Sequence, residues 1–137
     1  MKKNIICIIL LVMSLTACSS ESDEVLEGYS SCEEYYSDGF QDYIDYCKYF
    51  YKESDDDKFE ESSYYSIVTQ ENIDDIKNYF DQFPYQSMED SNKYDFETKN
   101  INEGDYYCLK AGSNNDDYSL FLYDVNSHIL YYIHCNI

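Results

Sequence analysis

The stretch DYSLFLYDVNSHILYYIHCNI, residues 117–137, decides the fold predicted for this chain. Apolar and aromatic residues recur with a period of two in residues 118–125 and 129–133, and Asn126 and Ser127 separate the two runs. This pattern around a two-residue turn signal is typical of a β-hairpin. Pairing outward from the turn sets three pairs opposite each other: Val125 with His128, Leu120 with Ile133, and Tyr118 with Cys135.

Further strands are predicted upstream of this hairpin. Residues 94–96 and 106–109 are rich in aromatic and apolar side chains, and turn-forming clusters at residues 100–104 and 112–117 separate the runs. Consecutive strands joined by short turns usually pair with each other. The C-terminal half is therefore expected to form an antiparallel β-meander of three to four strands.

A first helix is predicted ahead of the meander. Apolar residues between positions 40 and 51 recur at steps of three and four, which places them on one stripe of a helix. The hydroxyl and acidic residues at 30–34 are typical of a helix start, and Gly39 of a break. The acidic run at residues 53–58 then reads as a solvated connection, and it lacks the central glycine and alternating carboxylates of a calcium loop.

A second helix is predicted over residues 70–83. Its apolar side chains also follow a helical stripe, Thr69 precedes it as an N-cap, and Pro84 ends it. Helices followed by strands indicate an α+β domain. We therefore expect a single domain over residues 31–137, in which N-terminal helices pack on the C-terminal antiparallel β-meander.

Both faces of the predicted sheet are apolar. One face carries the expected partners of the helices: Tyr106, Cys108, Leu120, Leu122, Ile129, Tyr131, Ile133 and Cys135. The other carries a candidate binding face: Tyr107, Phe121, Tyr123, Tyr132 and His134, with Leu109 and Leu130. Exposed aromatic surface of this kind is typical of a binding site. The alternative is that a helix or residues 64–68 cover this second face and make it a second small core.

The composition is strongly acidic. There are 28 Asp and Glu residues against nine basic residues, all of them Lys, and the formal net charge is −19. This charge repels polyanions, so nucleic acid is excluded as a partner, and it also repels anionic lipid head groups. The 18 tyrosines and seven phenylalanines supply enough aromatic surface for a folded core despite the charge.

The N-terminus is typical of an export signal. Two lysines precede an apolar run at residues 5–13 that is too short to span a bilayer. The sequence LTAC at residues 15–18 then resembles the lipobox of bacterial lipoproteins. This resemblance implies removal of residues 1–17 as a signal peptide and attachment of a diacylglyceryl group to the thiol of Cys18. The alternative is an ordinary cysteine after a conventional cleavage site.

Lipidation of Cys18 would anchor the protein at the outer face of the cell membrane. The residues that follow, 18–30, are polar, acidic and poor in apolar side chains. Such a composition is typical of a flexible tether between an anchor and a folded domain.

Cys32, Cys47, Cys108 and Cys135 are candidate disulfide cysteines, since an even number of cysteines in an exported chain suggests disulfides. In the predicted meander a third strand separates Cys108 from Cys135, which puts them beyond disulfide reach. Bridges from the helical region to the sheet, with Cys47 among them, are therefore favoured. The alternative is free buried thiols.

No catalytic or metal site is predicted. His134 and Cys135 are neighbours on one strand, so their side chains point to opposite faces and do not share a metal ion. The sequence contains no CxxC, HExxH or GxSxG motif and no glycine-rich phosphate loop. We therefore expect neither a metal nor a cofactor, and no enzymatic activity.

Residues 40–137 resemble uncharacterised small lipoproteins and secreted proteins of anaerobic Firmicutes, through ENIDDIKNYFDQF, YDF, INEGDYYCLK and the C-terminal stretch quoted above. This resemblance implies no activity. We predict a lipid-anchored, non-enzymatic cell-surface module that binds an extracellular protein or another ligand through the aromatic sheet face. The alternatives are an envelope enzyme or thiol redox protein, and a structural envelope protein or inhibitor of an exported enzyme.

Overall fold

The computed structural model describes residues 22–37, 42–114 and 116–137. In these ranges the chain forms a six-stranded antiparallel sheet with two α-helices and several 3₁₀ turns. The strands are β1 (Ser31–Tyr35), β2 (Tyr43–Phe50), β3 (Ser66–Ile67), β4 (Tyr106–Ala111), β5 (Asp117–Asp124) and β6 (Ile129–Asn136), and the helices are α1 (Asp56–Glu61) and α2 (Ile73–Gln82). The strand order across the sheet is β1-β2-β6-β5-β4-β3.

The hairpin of β5 and β6 has the predicted register, with Leu120 opposite Ile133 and Tyr118 opposite Cys135. Its turn is closed by the buried carboxylate of Asp124. This carboxylate accepts hydrogen bonds from the backbone N–H of Asn126 at 2.9 Å, the backbone N–H of Ser127 at 3.3 Å and the hydroxyl of Ser127 at 2.8 Å. A side chain that satisfies the turn backbone in this way fixes the loop length, and the loop length fixes the register.

The predicted first helix is wrong, because its residues form β1 and β2. β2 lies between β1 and β6 and pairs with β6 along its full length, from Tyr43 opposite Asn136 to Phe50 opposite Ile129. Residues 44–49 are all buried. A strand that is buried on both faces has no clean alternation of apolar and polar residues, so its apolar positions matched a helical spacing by chance.

The second predicted helix is confirmed as α2. It begins three residues later than predicted, because Asn72 rather than Thr69 is the residue before its first turn. The side chain of Asn72 accepts a hydrogen bond from the Thr69 N–H at 2.8 Å and so closes the preceding turn. Ile76 and Phe80 face the sheet, and the helix ends two residues before Pro84.

Two segments differ from their predicted form. The acidic run at residues 53–58, predicted to be a solvated connection, is a 3₁₀ turn (Glu53–Asp55) that leads into α1, and Asp55 within it is buried. Residues 94–96 have no regular secondary structure and belong to none of the strands of the described chain. They lie between the 3₁₀ turns Ser91–Lys93 and Thr98–Asn100. The architecture is therefore a six-stranded sheet with short helices, and not helices packed on a meander of three to four strands.

Each face of the sheet carries a hydrophobic core. The core under α2 and residues 83–101 contains Ile44, Tyr46, Val68, Ile76, Phe80, Phe83, Met88, Phe96, Ile101, Tyr118, Leu120, Leu122, Ile133 and Cys135. The core under α1 and the N-terminal segment contains Val25, Cys47, Tyr49, Tyr51, Phe59, Tyr65, Phe121, Tyr123 and Leu130. The second apolar face is thus a second core, which was the alternative reading of the sequence.

A buried acid joins the turn before β4 to the β5–β6 turn. Asp105 is 1% exposed, and its carboxylate accepts the N–H of Asn102 at 2.8 Å and the N–H of Val125 at 3.1 Å. Burial raises the pKa of Asp105 to about 6, although the two backbone bonds oppose the shift and the charge of Asp124 adds to it. This carboxyl therefore couples the geometry of two turns to pH.

Candidate functional site

The five residues of the predicted binding face do not form one exposed surface. Phe121 and Tyr123 are buried in the core under α1, where Tyr123 stacks on Phe59 with ring centroids 3.7 Å apart. Tyr107 lies on the opposite face, because β4 pairs Tyr107 with Leu122 and not with Phe121. The predicted faces of β5 and β6 are correct, whereas that of β4 is inverted.

Tyr132 and His134, the remaining two, are partly buried on the α1 side of the sheet. The Nδ1 atom of His134 lies 3.0 Å from a carboxylate oxygen of Asp45 on the neighbouring strand β2. Its ring lies between the rings of Tyr43 and Tyr132, at centroid distances of 6.1 and 6.4 Å. His134 is therefore held by its sheet neighbours, and an ordinary cross-strand role accounts for it.

The cysteines do not form the expected bridges from Cys47 to the sheet. Cys47, Cys108 and Cys135 carry free thiols. Burial raises the pKa of the Cys47 thiol to about 12 and also raises the pKa of Cys108 and of Cys135. Since the thiolate is the reactive form, these three thiols are poor nucleophiles.

The predicted lipidation site, Cys18, lies outside the described residues, as do the whole predicted signal peptide, residues 1–17, and the start of the tether. The described part of the tether is docked on the domain, because Glu24 and Val25 are buried. Lys110 makes an ion pair with Glu24, and the hydroxyl of Tyr51 donates to the carbonyl of Leu26 at 2.6 Å. Residues 24–26 therefore contact the folded domain.

None of the helices in residues 22–37, 42–114 and 116–137 is long and apolar enough to cross a membrane. The same ranges hold no group of three or more His, Cys, Asp or Glu side chains arranged to bind a metal ion.

A cleft opens between the last turn of α2 and the segment that follows Lys93. Its volume is about 590 Å³, and its lining combines aromatic rings with charged side chains: Phe80, Asp81, Tyr85, Tyr94, Asp95, Phe96, Glu97, Thr98 and Lys99. Concave sites with apolar walls and a few polar groups are the usual form of a ligand site. We therefore treat this aromatic-acidic cleft as the candidate functional site.

The aromatic wall of the cleft is packed against the core. Tyr85 and Tyr94 stack with ring centroids 4.4 Å apart, and Phe80 and Phe96 stack at 4.0 Å. Phe96 also meets Tyr131 of β6 edge to face at 4.7 Å. Burial raises the pKa of Tyr94, so its phenol stays neutral at physiological pH. The wall is a preformed surface of neutral rings.

Asp95 fastens the segment that carries this wall to β2. Its carboxylate accepts hydrogen bonds from the hydroxyl of Tyr46 at 2.7 Å and from the ammonium of Lys48 at 2.9 Å, and Lys48 also pairs with Glu33 at 2.7 Å. Burial raises the pKa of Asp95, but the bonds from Lys48 and Tyr46 outweigh it and hold this pKa below its usual value. The charge of Asp95 is therefore already compensated by Lys48.

The other charged groups of the cleft are more accessible. Glu97 forms an ion pair with Lys99, and both side chains are more than half exposed. Asp81 is exposed in the last turn of α2, and its charge contributes to the raised pKa of Tyr94. Within the described chain no ion pair is formed by Asp81. Its carboxylate is thus open to a ligand.

Comparisons with protein-family models, curated proteins and solved structures find no match to this chain. The geometry of the cleft is therefore the basis for a functional assignment.

The sequence reading missed this cleft for an identifiable reason. Aromatic and acidic side chains alternate at residues 94–97, and this period of two favours a strand and not the wall of a cleft. The available signal was compositional: Tyr85, Tyr94 and Phe96 alternate with acids in a segment bounded by Pro84. Such a signal indicates a surface segment without showing that its rings converge on one cavity.

Proposed function

We propose that this protein is a lipid-anchored, non-enzymatic binding module of the cell surface, and that its ligand binds in the aromatic-acidic cleft. The observation that carries the proposal is the aromatic wall, which is preformed by packing on the core and stands beside the open carboxylate of Asp81. A wall that is ordered before binding costs little conformational entropy when a ligand arrives.

The chemistry of the described residues supports binding over catalysis. The cleft presents phenols, carboxylates, a hydroxyl and the ammonium of Lys99, which is paired with Glu97. The raised pKa values of the free thiols Cys47, Cys108 and Cys135 disfavour the thiol redox alternative. A structural envelope protein or an inhibitor remains the second alternative, and either would use the cleft to hold a protein partner.

The location belongs to the same proposal. The sequence LTAC at residues 15–18 supports a lipid on Cys18, and the net charge of −19 gives the domain no attraction to anionic lipid head groups. Replacement of the anchor tests this part directly. We expect Cys18→Ala to move the protein from the membrane fraction to the soluble fraction of fractionated cells, and retention at the membrane would contradict lipid anchoring.

The cleft is tested by site-specific photo-crosslinking on intact cells. One variant carries p-benzoylphenylalanine in place of Thr98, which lines the cleft, and a matched variant carries it in place of Tyr64, which is 46% exposed and lies before β3. We expect a discrete adduct from position 98 that is absent from position 64. The same adducts from both positions, or none from position 98, would contradict the proposal.

A further inference from the structure

We propose that the ligand of the aromatic-acidic cleft is an organic cation, an ammonium or guanidinium group on an apolar stem, which contacts the Tyr85 and Tyr94 wall and pairs with Asp81. This inference rests on the proposed function, because it names the ligand class of the same cleft. It also assigns a role to Lys99, whose ammonium we infer to compete with the ligand cation for the acids of the cleft.

The wall favours a cation over a neutral or anionic group. Aromatic ring faces carry partial negative charge and attract ammonium and guanidinium groups. The rings of Tyr85 and Tyr94 stand within a lining that includes three carboxylates, those of Asp81, Asp95 and Glu97. An anionic ligand would meet like charges in the cleft and across a chain of net charge −19, whereas a cation is attracted by both.

The chain already holds an ammonium with the same chemistry next to the cleft. The ammonium of Lys48 lies 2.7 Å from Glu33, 2.9 Å from Asp95 and 5.9 Å from the ring centroid of Phe50. Carboxylates and an aromatic ring thus bind a primary ammonium in this protein. Because Lys48 uses Asp95 in this way, Asp95 is a positioning residue of the wall, and the ligand pairs with a different acid.

Asp81 and Glu97 are the two remaining acids of the cleft. Asp81 has no ion pair within the described chain, whereas Glu97 is paired with Lys99. The side chain of Lys99 is 75% exposed, and exposed ion pairs are weak. Removal of the Lys99 ammonium would therefore take away a like charge and leave Glu97 as a second acid for the cation, so it should strengthen the site.

The inference is tested by NMR titration of the full chain, labelled with ¹⁵N, in dodecyl maltoside, a detergent without charge. The cationic probes are Nα-acetyl-lysine amide, Nα-acetyl-arginine amide and pentylamine, and the neutral probe is Nα-acetyl-norleucine amide, which has an apolar stem and no charge. We expect saturable shifts at Asp81 and residues 94–99 with the cations, and no saturable shift with the neutral probe.

Two variants and two controls separate the cleft from the general charge of the chain. We expect Asp81→Asn to weaken lysine amide binding about two- to fivefold, and Lys99→Gln to strengthen it about twofold. Asp57→Asn, in α1 on the opposite face of the sheet, and Lys52→Gln make the same charge changes outside the cleft lining. The controls should change the affinity by less than half as much.

Several results would overturn the inference. Equal binding of the norleucine and lysine probes would show that charge is not recognised, and equal effects of Asp57→Asn and Asp81→Asn would show non-specific attraction. If position 98 captures a ligand on cells while the cations do not bind, the cleft is a binding site, but its ligand is not an organic cation. Tighter binding of the lysine or arginine amide than of pentylamine supports a polypeptide source of the cation, and the reverse supports a free amine.

Discussion

Asp105 provides a direct test of the electrostatics of the fold. Its carboxyl is buried, and its pKa is raised to about 6 in the folded protein, whereas an unfolded Asp titrates near its ordinary value of 3.8. The unfolded state therefore loses the proton at a lower pH than the folded state. The protonated Asp105 carboxyl therefore makes its full contribution to the stability of the fold below about pH 4, and this contribution is lost as the pH rises through about 6.

The magnitude follows from the size of the shift. One pKa unit corresponds to about 1.4 kcal/mol, so a shift of about two units corresponds to roughly 3 kcal/mol. Asp105→Asn has nearly the shape of the protonated acid and does not ionise. Its amide has one acceptor oxygen where the carboxyl has two, so the variant loses one of the two backbone hydrogen bonds, at a cost of about 1 kcal/mol. We therefore expect this variant to be less stable than the wild type by about 1 kcal/mol at pH 4 and more stable by about 2 kcal/mol at pH 7.

The assay is urea unfolding of both proteins, followed by far-ultraviolet circular dichroism at intervals from pH 4 to 7.5. Comparison at each pH cancels the other titrating groups, including Asp95, whose lowered pKa gives a pH dependence of the opposite sign. If the free energies of unfolding of the two proteins differ by the same amount at every pH, or if the variant is the less stable protein at pH 7, burial does not control the pKa of this carboxyl. The two backbone hydrogen bonds to the carboxylate would then dominate.

Three further predictions concern packing, the cleft and the thiols. Phe59→Ala should lower the free energy of unfolding by about 3–5 kcal/mol, because the ring is fully buried. The control Tyr64→Ala, at an exposed position, should change it by less than about 0.5 kcal/mol. Similar urea midpoints for the two variants would contradict this prediction. Tyr46→Phe should cost about 1–2 kcal/mol through its lost bond to Asp95, and an unchanged midpoint would show that this bond contributes nothing. Cys47 should react with iodoacetamide only after unfolding, as peptide mass mapping would report, and rapid labelling of the native protein would contradict its burial.

Elements with a single buried face were predictable. The apolar stripe of α2 needs only one partner surface, so its period of 3.6 survives in the sequence and Pro84 marks its end. The β5–β6 hairpin was equally predictable, because Asn126 and Ser127 form a short turn whose hydrogen bonds to Asp124 join residues that are neighbours in the sequence.

Elements that depend on distant partners were not predictable. β2 is central only because β1 and β6 pair on its two sides, and burial on both faces removes the alternation that identifies a strand. The face of β4 depends on its register with β5 across residues 112–116, and a shift of one residue inverts every side chain. The alternation of residues within β4 is the same in either register, so it does not predict which face each side chain occupies.

The sequence by itself determined the acidic charge, the lipobox-like LTAC, α2 and the register of the last hairpin, because each depends on composition or on residues close together in the chain. Only the tertiary structure decided the six-stranded sheet, the second core and the aromatic-acidic cleft. The cleft combines the end of α2 with residues 94–99, held by Tyr46 and Lys48 from a strand almost 50 positions earlier. Convergence over such distances comes from the packing of the whole domain.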